Sequence, residues 1–311
     1  MSDSPKTLVL IHGRGFKPAA TDLLTLWRDA LRLGIQRDAP DQVAAFDAVD
    51  TRMVYYGDLS GAVLAAAGRH YDAALDLNDL RHCLEALAAH RRSKAFRREN
   101  YERLPGKSPL KEFLADVSGA ALRLPGIGAR LLDTVAPELA DYWHPENSHL
   151  READHRVQTL LRPLLAQQRD ILLVTHCLGG VLAFNALHAT STHPPEGGRI
   201  NAWLTLGTPL ADNLVRSRLA GAREQGLARY PTNVLSWINL SAEDDYICHD
   251  KNVADDYRDM LNARLVSRIE DRTMYNLAVR YGRSNPHCVL GYLVHPRTVQ
   301  VLAGWLQSTK T

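Results

Sequence analysis

One stretch of the chain, residues 171–189, carries no Asp, Glu, Lys or Arg and combines two hydrophobic patterns. Its first five residues, 171–175, are apolar or small and suit a strand that is buried on both faces. Residues 181–184 suit a packed helix. His176 and Asn185 interrupt a run that is only as long as the shortest membrane span, so we reject a membrane helix. The pattern therefore predicts a buried strand, a sharp turn and a helix.

Strands alternate with helices in the N-terminal and C-terminal thirds of the chain, which predicts an α/β fold with a mostly parallel, doubly wound sheet. The other predicted strands are residues 8–11, 53–57, 202–206 and 234–240. The first predicted helix covers residues 21–33, with Leu24, Trp27 and Leu31 on one face and a stop at Gly34. A second is indicated by the apolar stripe Val157, Leu160, Leu161, Leu164 and Leu165, and a closing helix is predicted over 296–306.

Residues 58–150 differ from the rest because they are rich in Ala, Leu and Arg and contain few strand-like runs. We interpret them as a helical insertion within one α/β domain that covers residues 1–311. By analogy with insertions between the strands of other sheets, which often arch over the site at the strand ends, we expect a cap or lid here. The basic run 90–107 inside it fits a solvated helix face, an anion-binding surface or a membrane-contacting surface.

Residues 175–179 read Thr-His-Cys-Leu-Gly and have the form of a nucleophile elbow with cysteine in place of serine. Such a turn holds its nucleophile clear of the sheet and favours small residues two before and two after it. Gly179 is small, whereas Thr175 is bulkier than usual. The first amides of the following helix would also favour a thiolate at Cys177. The alternative is a buried cysteine in an ordinary strand-to-helix connection.

The remaining parts of an acyl-transfer site follow in order along the chain. A buried strand ends in the His12-Gly13 turn, which precedes Arg14. An acidic segment, 243–245, comes just past a strand, where an orienting carboxylate belongs. His287 then lies in a polar, turn-forming segment. The competing residues are Asp244 and Asp250 for the acid, and His249 and His295 for the histidine.

These motifs resemble those of α/β-hydrolases of the lipase and esterase type. The resemblance rests on the His12-Gly13 turn, the Cys177 elbow, the Leu-Gly-Thr-Pro sequence at 206–209, the Asp244-Asp245 turn and the His287 loop. It covers most of the chain outside residues 58–150. The chain is also similar to a group of bacterial α/β-hydrolases that share IHGRGFKP, VYYGDL, ERLPGK, AEDDYICHD and GRSNPH. That similarity implies no particular substrate.

The resemblance implies a role for each matching residue. Cys177 would be the nucleophile, His287 the base that takes its proton, and Asp245 the acid that orients the imidazole. Asp245 is preferred to Asp244 because the family's acid is commonly followed by one residue and then an apolar one, here Ile247. The oxyanion hole would comprise the backbone N–H groups of Leu178, Gly13 and Arg14.

The expected activity is that of an acyl hydrolase, an esterase or a thioesterase, with an acyl-cysteine intermediate. A thiolate attacks carbonyl groups well and leaves easily, which favours thioesters, lactones, activated esters and polyesters over amides. Arg14 and His176 are the candidate substrate-binding residues, since the Arg14 guanidinium could bind a carboxylate or phosphate. The alternatives are an acyltransferase that uses the same cysteine, and a non-catalytic ligand-binding or signalling member of the fold.

Composition sets the limits of these interpretations. With 311 residues, 45% hydrophobic residues and a net charge of +2, the chain has the composition of an ordinary globular protein. The nearly balanced charge gives no reason to expect a nucleic-acid partner. We expect a small-molecule acyl substrate, no transmembrane segment and at most a peripheral membrane contact. The sequence does not indicate an oligomeric state.

Cysteine spacing bears on cofactors and location. The four cysteines lie far apart without a C-x-x-C pair, which favours reduced thiols. The Cys248-His249 and His287-Cys288 pairs lack the usual spacing of zinc ligands, so we expect no metal, and the proposed chemistry needs no organic cofactor. The N-terminus enters the first strand without an apolar leader, so we expect a cytoplasmic protein.

Overall fold

Six parallel strands form the central sheet of the computed structural model, which describes residues 5–106, 137–144, 151–191, 197–248 and 250–308. The sheet order is β2-β1-β3-β4-β5-β6. In chain order the strands are β1 Lys6–Ile11, β2 Asp50–Val54, β3 Asp170–His176, β4 Ala202–Leu206, β5 Ser236–Ala242 and β6 Arg268–Met274. Two further short strands, β7 Val279–Arg280 and β8 Arg283–Ser284, form an antiparallel hairpin.

Helices connect these strands and cover both faces of the sheet. The described α-helices are α1 Ala20–Asp38, α2 Val43–Asp47, α3 Gly57–Ala66, α4 Ala73–Ala88, α5 Arg98–Glu102, α6 Pro137–Tyr142, α7 Arg151–Ala166, α8 Leu178–Ala189, α9 Asn213–Arg216, α10 Val253–Asp256, α11 Arg258–Asn262, α12 Val289–Leu293 and α13 Pro296–Gln307. Short 3-10 segments occupy Pro40–Gln42, Ser93–Ala95, Gly226–Arg229 and Tyr246–Cys248.

The core consists of two hydrophobic clusters, one on each face of the sheet. One cluster packs α7, α8 and α11 against inward-facing strand residues such as Leu173 and Trp203. The other packs α1, α4, α12 and α13 against residues such as Leu10 and Leu172. Because β3 is buried along its whole length, its sequence lacks the polar alternation of a one-sided strand. The structure thus confirms an α/β fold with a parallel sheet flanked by helices.

The strand order reverses between β1 and β3. The chain leaves β1 through α1 to β2 on one side, and later returns to place β3 on the other side of β1. In open parallel sheets the carboxyl ends of two such strands leave a crevice between their diverging connections, where ligands commonly bind. His12 follows β1 and Cys177 follows β3, so both predicted motifs lie at this crevice.

Several predicted boundaries differ from the structure. Helix α1 continues past Gly34 to Asp38, because Gly34 is a packing position: a Cβ atom there would lie 2.7 Å from Cγ2 of Val299. Leu24 is only partly buried, and Leu23 faces the core in its place. Strand β2 begins and ends earlier than predicted, and β5 begins and ends later than predicted.

Strand β6 was not predicted because its sequence, RIEDRTM, has four charged residues among seven. It lies at the edge of the sheet, where one side of a strand lacks a neighbour and charged side chains guard against edge-to-edge pairing. Glu270 pairs with Arg268 and Arg272 of the same strand. The hydrophobic pattern of an edge strand is too weak to identify it from sequence.

The predicted insertion, residues 58–150, lies partly outside the described residues, which omit 107–136 and 145–150. Its described parts include α4, α5 and α6 and nearly all of α3. Helix α4 packs against α1 and α12 and so belongs to a helical layer of the domain. Arg280 of β7 forms ion pairs with Asp76 and Asp79 of α4. A cap or lid over the catalytic mouth stays a prediction.

The basic run contains two aromatic residues that are not available to a binding partner. Phe96 and Tyr101 are buried, and the guanidinium of Arg37 lies 4.5 Å from the ring centre of Phe96. Arg97 and Arg98 pair with Glu99 and Glu102 at the surface. Among the helices of the described ranges, none is both long and apolar enough to cross a bilayer.

We expect Trp237→Ala to lower the free energy of unfolding by about 3–5 kcal/mol, measured by urea denaturation. Trp237 is fully buried, stacks on Trp203 with ring centres 4.5 Å apart, and donates its Nε1–H to Thr205. Leu235→Ala serves as the control, since Leu235 is 39% exposed and should change stability by less than about 0.5 kcal/mol. Equal losses in the two variants would contradict this packing.

Candidate active site

Cys177 occupies the tight connection between β3 and α8. Its backbone has φ 53° and ψ −124°, a strained conformation for a residue with a side chain. The Cys177 N–H donates to the Leu206 carbonyl at 3.0 Å, which anchors the turn to β4. A nucleophile elbow has this strand, strained residue and helix in the same order.

Two glycines allow the turns after β1 and β3 to meet. A Cβ atom on Gly179 would lie 2.4 Å from the His12 carbonyl oxygen, and one on Gly13 would lie 2.6 Å from Cβ of Cys177. Thr175 fits despite its size because its hydroxyl accepts a 3.0 Å hydrogen bond from Nε1–H of Trp203. The small-residue requirement therefore applies at positions 13 and 179.

His287 and Asp245 are in direct contact. Nδ1 of His287 lies 2.8 Å from Oδ2 and 3.0 Å from Oδ1 of Asp245, which is buried. Tyr292 donates its O–H to Oδ2 at 2.7 Å, and Ile247 donates its N–H to Oδ1 at 3.1 Å. These donors hold the carboxylate in one orientation, so Nδ1 carries the proton and Nε2 faces away from Asp245.

The competing residues that the structure describes, Asp244, Asp250 and His295, make other contacts. Asp244 is exposed and accepts a 2.6 Å hydrogen bond from the Tyr101 O–H. Asp250 accepts from the N–H of Asn252. His295 caps α13 by accepting from the N–H of Arg297, and burial lowers its pKa to about 3. His249 lies outside the described residues.

Cys177 and His287 perturb each other's ionisation. Burial alone would raise the pKa of the Cys177 thiol, but the His287 imidazole and, to a smaller extent, Arg14 lower it below its usual value. Burial would lower the pKa of His287, yet Asp245 and Cys177 outweigh it and raise that pKa to about 10. The two side chains are close enough for a thiol–imidazole hydrogen bond to contribute to both pKa shifts, although its geometry is looser than that of an ordinary hydrogen bond. The arrangement favours a thiolate beside an imidazolium.

The oxyanion turn, residues 13–16, is oriented by the ring of His12. Nδ1 of His12 lies 2.8 Å from the Gly13 carbonyl oxygen, while Nε2 accepts the Tyr56 N–H at 3.0 Å. This pattern requires a neutral ring with its proton on Nδ1, which agrees with burial lowering the pKa of His12 to about 3. The Gly13 carbonyl that accepts from His12 belongs to the same peptide group as the Arg14 N–H. Because the two point in opposite directions, the Arg14 N–H faces away from His12, and it interacts with the Cys177 thiol.

Leu178 supplies the other predicted oxyanion donor. It is the first residue of α8, where an N–H has no intrahelical acceptor, and it is buried beside Cys177. The structure therefore brings together Cys177, His287, Asp245, the oxyanion turn and Leu178.

His176 and Arg14 are also close to Cys177, in different ways. The His176 ring is 7% exposed, with its centre 4.6 Å from that of His287, and its Nε2 lies 3.0 Å from the His287 carbonyl oxygen. Burial and the charge of His287 keep the pKa of His176 well below its usual value, so His176 is neutral and supports the His287 loop. The Arg14 side chain is half-buried and near enough to Cys177 to lower the thiol pKa. Substrate binding by either residue stays a prediction.

Sequence reasoning missed Tyr292 and the role of Gly207. Tyr292 is fully buried and accepts the Ala242 N–H while it donates to Asp245. Gly207 has φ 53°, and a Cβ atom there would lie 2.8 Å from Oδ2 of Asp245 and 3.0 Å from the Tyr292 hydroxyl. A signal for Gly207 existed in the Leu-Gly-Thr-Pro motif, but nothing in the pattern around Tyr292 distinguishes it from a core aromatic residue.

No protein-family model matches the chain, and no curated protein matches its sequence. The α/β-hydrolase resemblance therefore rests on the motifs and on the site that they form. Within the described ranges, no three His, Cys, Asp or Glu side chains converge as a metal site would require.

We expect Cys177 of the wild type to be half-maximally alkylated by iodoacetamide below pH 9, because its pKa is lowered from that ordinary value. In His287→Ala the midpoint should rise, since burial then acts on the thiolate without the imidazolium, and the smaller effect of Arg14 is left to oppose it. Peptide mapping by mass spectrometry would separate Cys177 from the three other buried thiols.

His82→Ala is the matched control for this titration, because His82 is exposed on α4. Its midpoint should equal that of the wild type. A His287→Ala midpoint at or below the wild-type value would show that the imidazole does not stabilise the thiolate.

Proposed function

We propose that the protein is an acyl hydrolase of the α/β-hydrolase fold, an esterase or thioesterase that acts through a covalent acyl-cysteine. The main support is the His287 imidazole, which is bonded through Nδ1 to buried Asp245 and lies next to Cys177 at a strained strand-to-helix turn. A mutually stabilised thiolate and imidazolium are what nucleophilic acyl transfer requires. The position at the reversal of strand order adds to this support.

In the proposed first step, Sγ of Cys177 attacks the acyl carbonyl carbon. The electron pair of the C=O bond moves to oxygen, which the N–H groups of Arg14 and Leu178 stabilise. The oxygen pair then returns, the bond to the leaving alkoxide or thiolate breaks, and the His287 imidazolium protonates that group. The product at this stage is a thioester on Cys177.

In the second step, water attacks the thioester carbonyl and gives a proton to Nε2 of His287. The C–S bond breaks, the carboxylic acid product leaves and the thiolate is restored. Asp245 keeps the imidazole in the tautomer that can accept this proton at Nε2. No step calls for a metal or an organic cofactor.

Intact-protein mass spectrometry after brief incubation with short-chain p-nitrophenyl esters and acyl thioesters tests this function. The wild type should gain an acyl mass that maps to Cys177 and should release product, whereas Cys177→Ala should do neither. A protein in which neither form acylates or turns over any of these substrates would favour the ligand-binding alternative. An acyl-enzyme that persists in water but discharges to added thiols or alcohols would indicate acyl transfer.

Asp245→Asn should lower kcat by roughly 10²–10⁴-fold, because an amide cannot hold the imidazole in the productive tautomer. Asp244→Asn is a matched control in the adjacent residue, whose carboxylate contacts Tyr101 instead of His287. It should change kcat by no more than a few-fold. A larger loss in Asp244→Asn than in Asp245→Asn would reverse the assignment of the acid.

A further inference from the structure

Two charged side chains outside the Cys177, His287 and Asp245 group hold the oxyanion turn from opposite sides. Lys17 donates from Nζ to the carbonyl oxygens of Arg14, Gly15 at 3.1 Å and Phe16 at 3.2 Å. Glu138 of α6 accepts the Gly15 N–H at 2.5 Å through Oε1. The turn is thus fixed by an ammonium group on one side and a carboxylate on the other.

Peptide geometry links these contacts to the oxyanion hole. In a trans peptide the C=O and the N–H point in opposite directions. The peptide between Arg14 and Gly15 therefore presents its oxygen to Lys17 and its N–H to Glu138. This peptide shares the Cα atom of Arg14 with the peptide that His12 orients, so its orientation is coupled, through the backbone dihedral angles of Arg14, to that of the Arg14 N–H beside the thiol.

The Glu138 carboxylate is buried, so it depends on the contacts that it makes with the turn. It is 2% exposed, and a buried carboxylate is costly unless donors and positive charge compensate for lost water. The Gly15 N–H and the charge of nearby Lys17 supply that compensation. The carboxylate and the turn therefore stabilise each other.

We infer that Glu138 and Lys17 are positioning residues that set the direction of the oxyanion-hole N–H groups. Through Glu138, the predicted insertion, residues 58–150, contributes directly to the reacting site. This inference rests on the proposed function, because the direction of these donors matters only when an oxyanion forms beside Cys177.

The test uses 1,1,1-trifluoroacetone labelled with ¹³C at its carbonyl carbon. The thiolate of Cys177 bonds through Sγ to that carbon, the C=O electron pair moves to oxygen, no group leaves, and the proton of the His287 imidazolium stays where it is. The ¹³C chemical shift then follows protonation of the adduct oxygen as the pH is lowered. A well-formed oxyanion hole keeps this oxygen ionised to lower pH.

Glu138→Ala is the decisive variant because its two possible effects differ in sign. If Glu138 positions the turn, its loss should raise the pH midpoint for protonation of the adduct oxygen by about one unit or more. This rise corresponds to a tenfold or larger loss of oxyanion stabilisation. Removal of a negative charge alone would lower the midpoint. If the small side chain prevents folding, Glu138→Leu fills the same buried space and carries the same expectation. Lys17→Met should also raise the midpoint.

Two controls separate positioning from general damage. Glu138→Gln keeps an acceptor oxygen for the Gly15 N–H, so its midpoint should return to the wild-type value or below. Glu85→Ala removes an exposed carboxylate from α4 and should leave the midpoint unchanged. Circular dichroism checks that each variant is folded.

The outcomes distinguish this inference from the proposed function. A folded Glu138→Ala or Glu138→Leu variant with a midpoint at or below the wild-type value overturns the inference alone, since the adduct itself shows a reactive Cys177. A wild type that forms no adduct at Cys177 overturns both.

Discussion

The site depends on the close approach of two backbone segments at the carboxyl ends of β1 and β3. Paired strands lie less than 5 Å apart, so side chains in the turns that follow them would overlap. Gly13 and Gly179 prevent this, because a Cβ atom at either position would overlap atoms of the opposite turn. The approach brings the Arg14 N–H to the thiol and lets α8 begin directly after Cys177. The positions of Cys177 and of residues 13–16 are thus a consequence of backbone packing.

Burial shifts the pKa values of Cys177 and His287 in opposite directions, and in both cases it works against the charged form. It disfavours a thiolate at Cys177 and an imidazolium at His287, yet each charge stabilises the other and Asp245 stabilises the imidazolium. The pair therefore depends on the position of the Asp245 carboxylate, which Tyr292 and the Ile247 N–H hold by hydrogen bonds. A serine hydroxyl in the same turn would stay neutral, whereas the environment of Cys177 favours the thiolate.

The chain's local patterns predicted the parts of the fold that follow from periodicity and turn chemistry. The strand around Leu173, the turn at Cys177 and the contact of His287 with Asp245 each had a signal within a few residues. Glu138 and Tyr292 had none, because no turn or motif marks the residues around either of them and only the folded chain shows their contacts with Gly15 and Asp245. Tertiary packing decides which buried polar groups meet, and one sequence carries no record of that pairing.

The ion pairs between Arg280 and the two aspartates of α4 limit how this protein can be divided. Asp76 and Asp79 belong to the predicted insertion, whereas Arg280 lies in the hairpin seven residues before His287. An exchange of the insertion with that of another α/β protein would leave a half-buried guanidinium without its carboxylates, close in sequence to the loop that carries His287. Recombination or chimaera design would therefore need to transfer α4 and the β7–β8 hairpin together. The two segments depend on each other structurally, although some two hundred residues separate them in the chain.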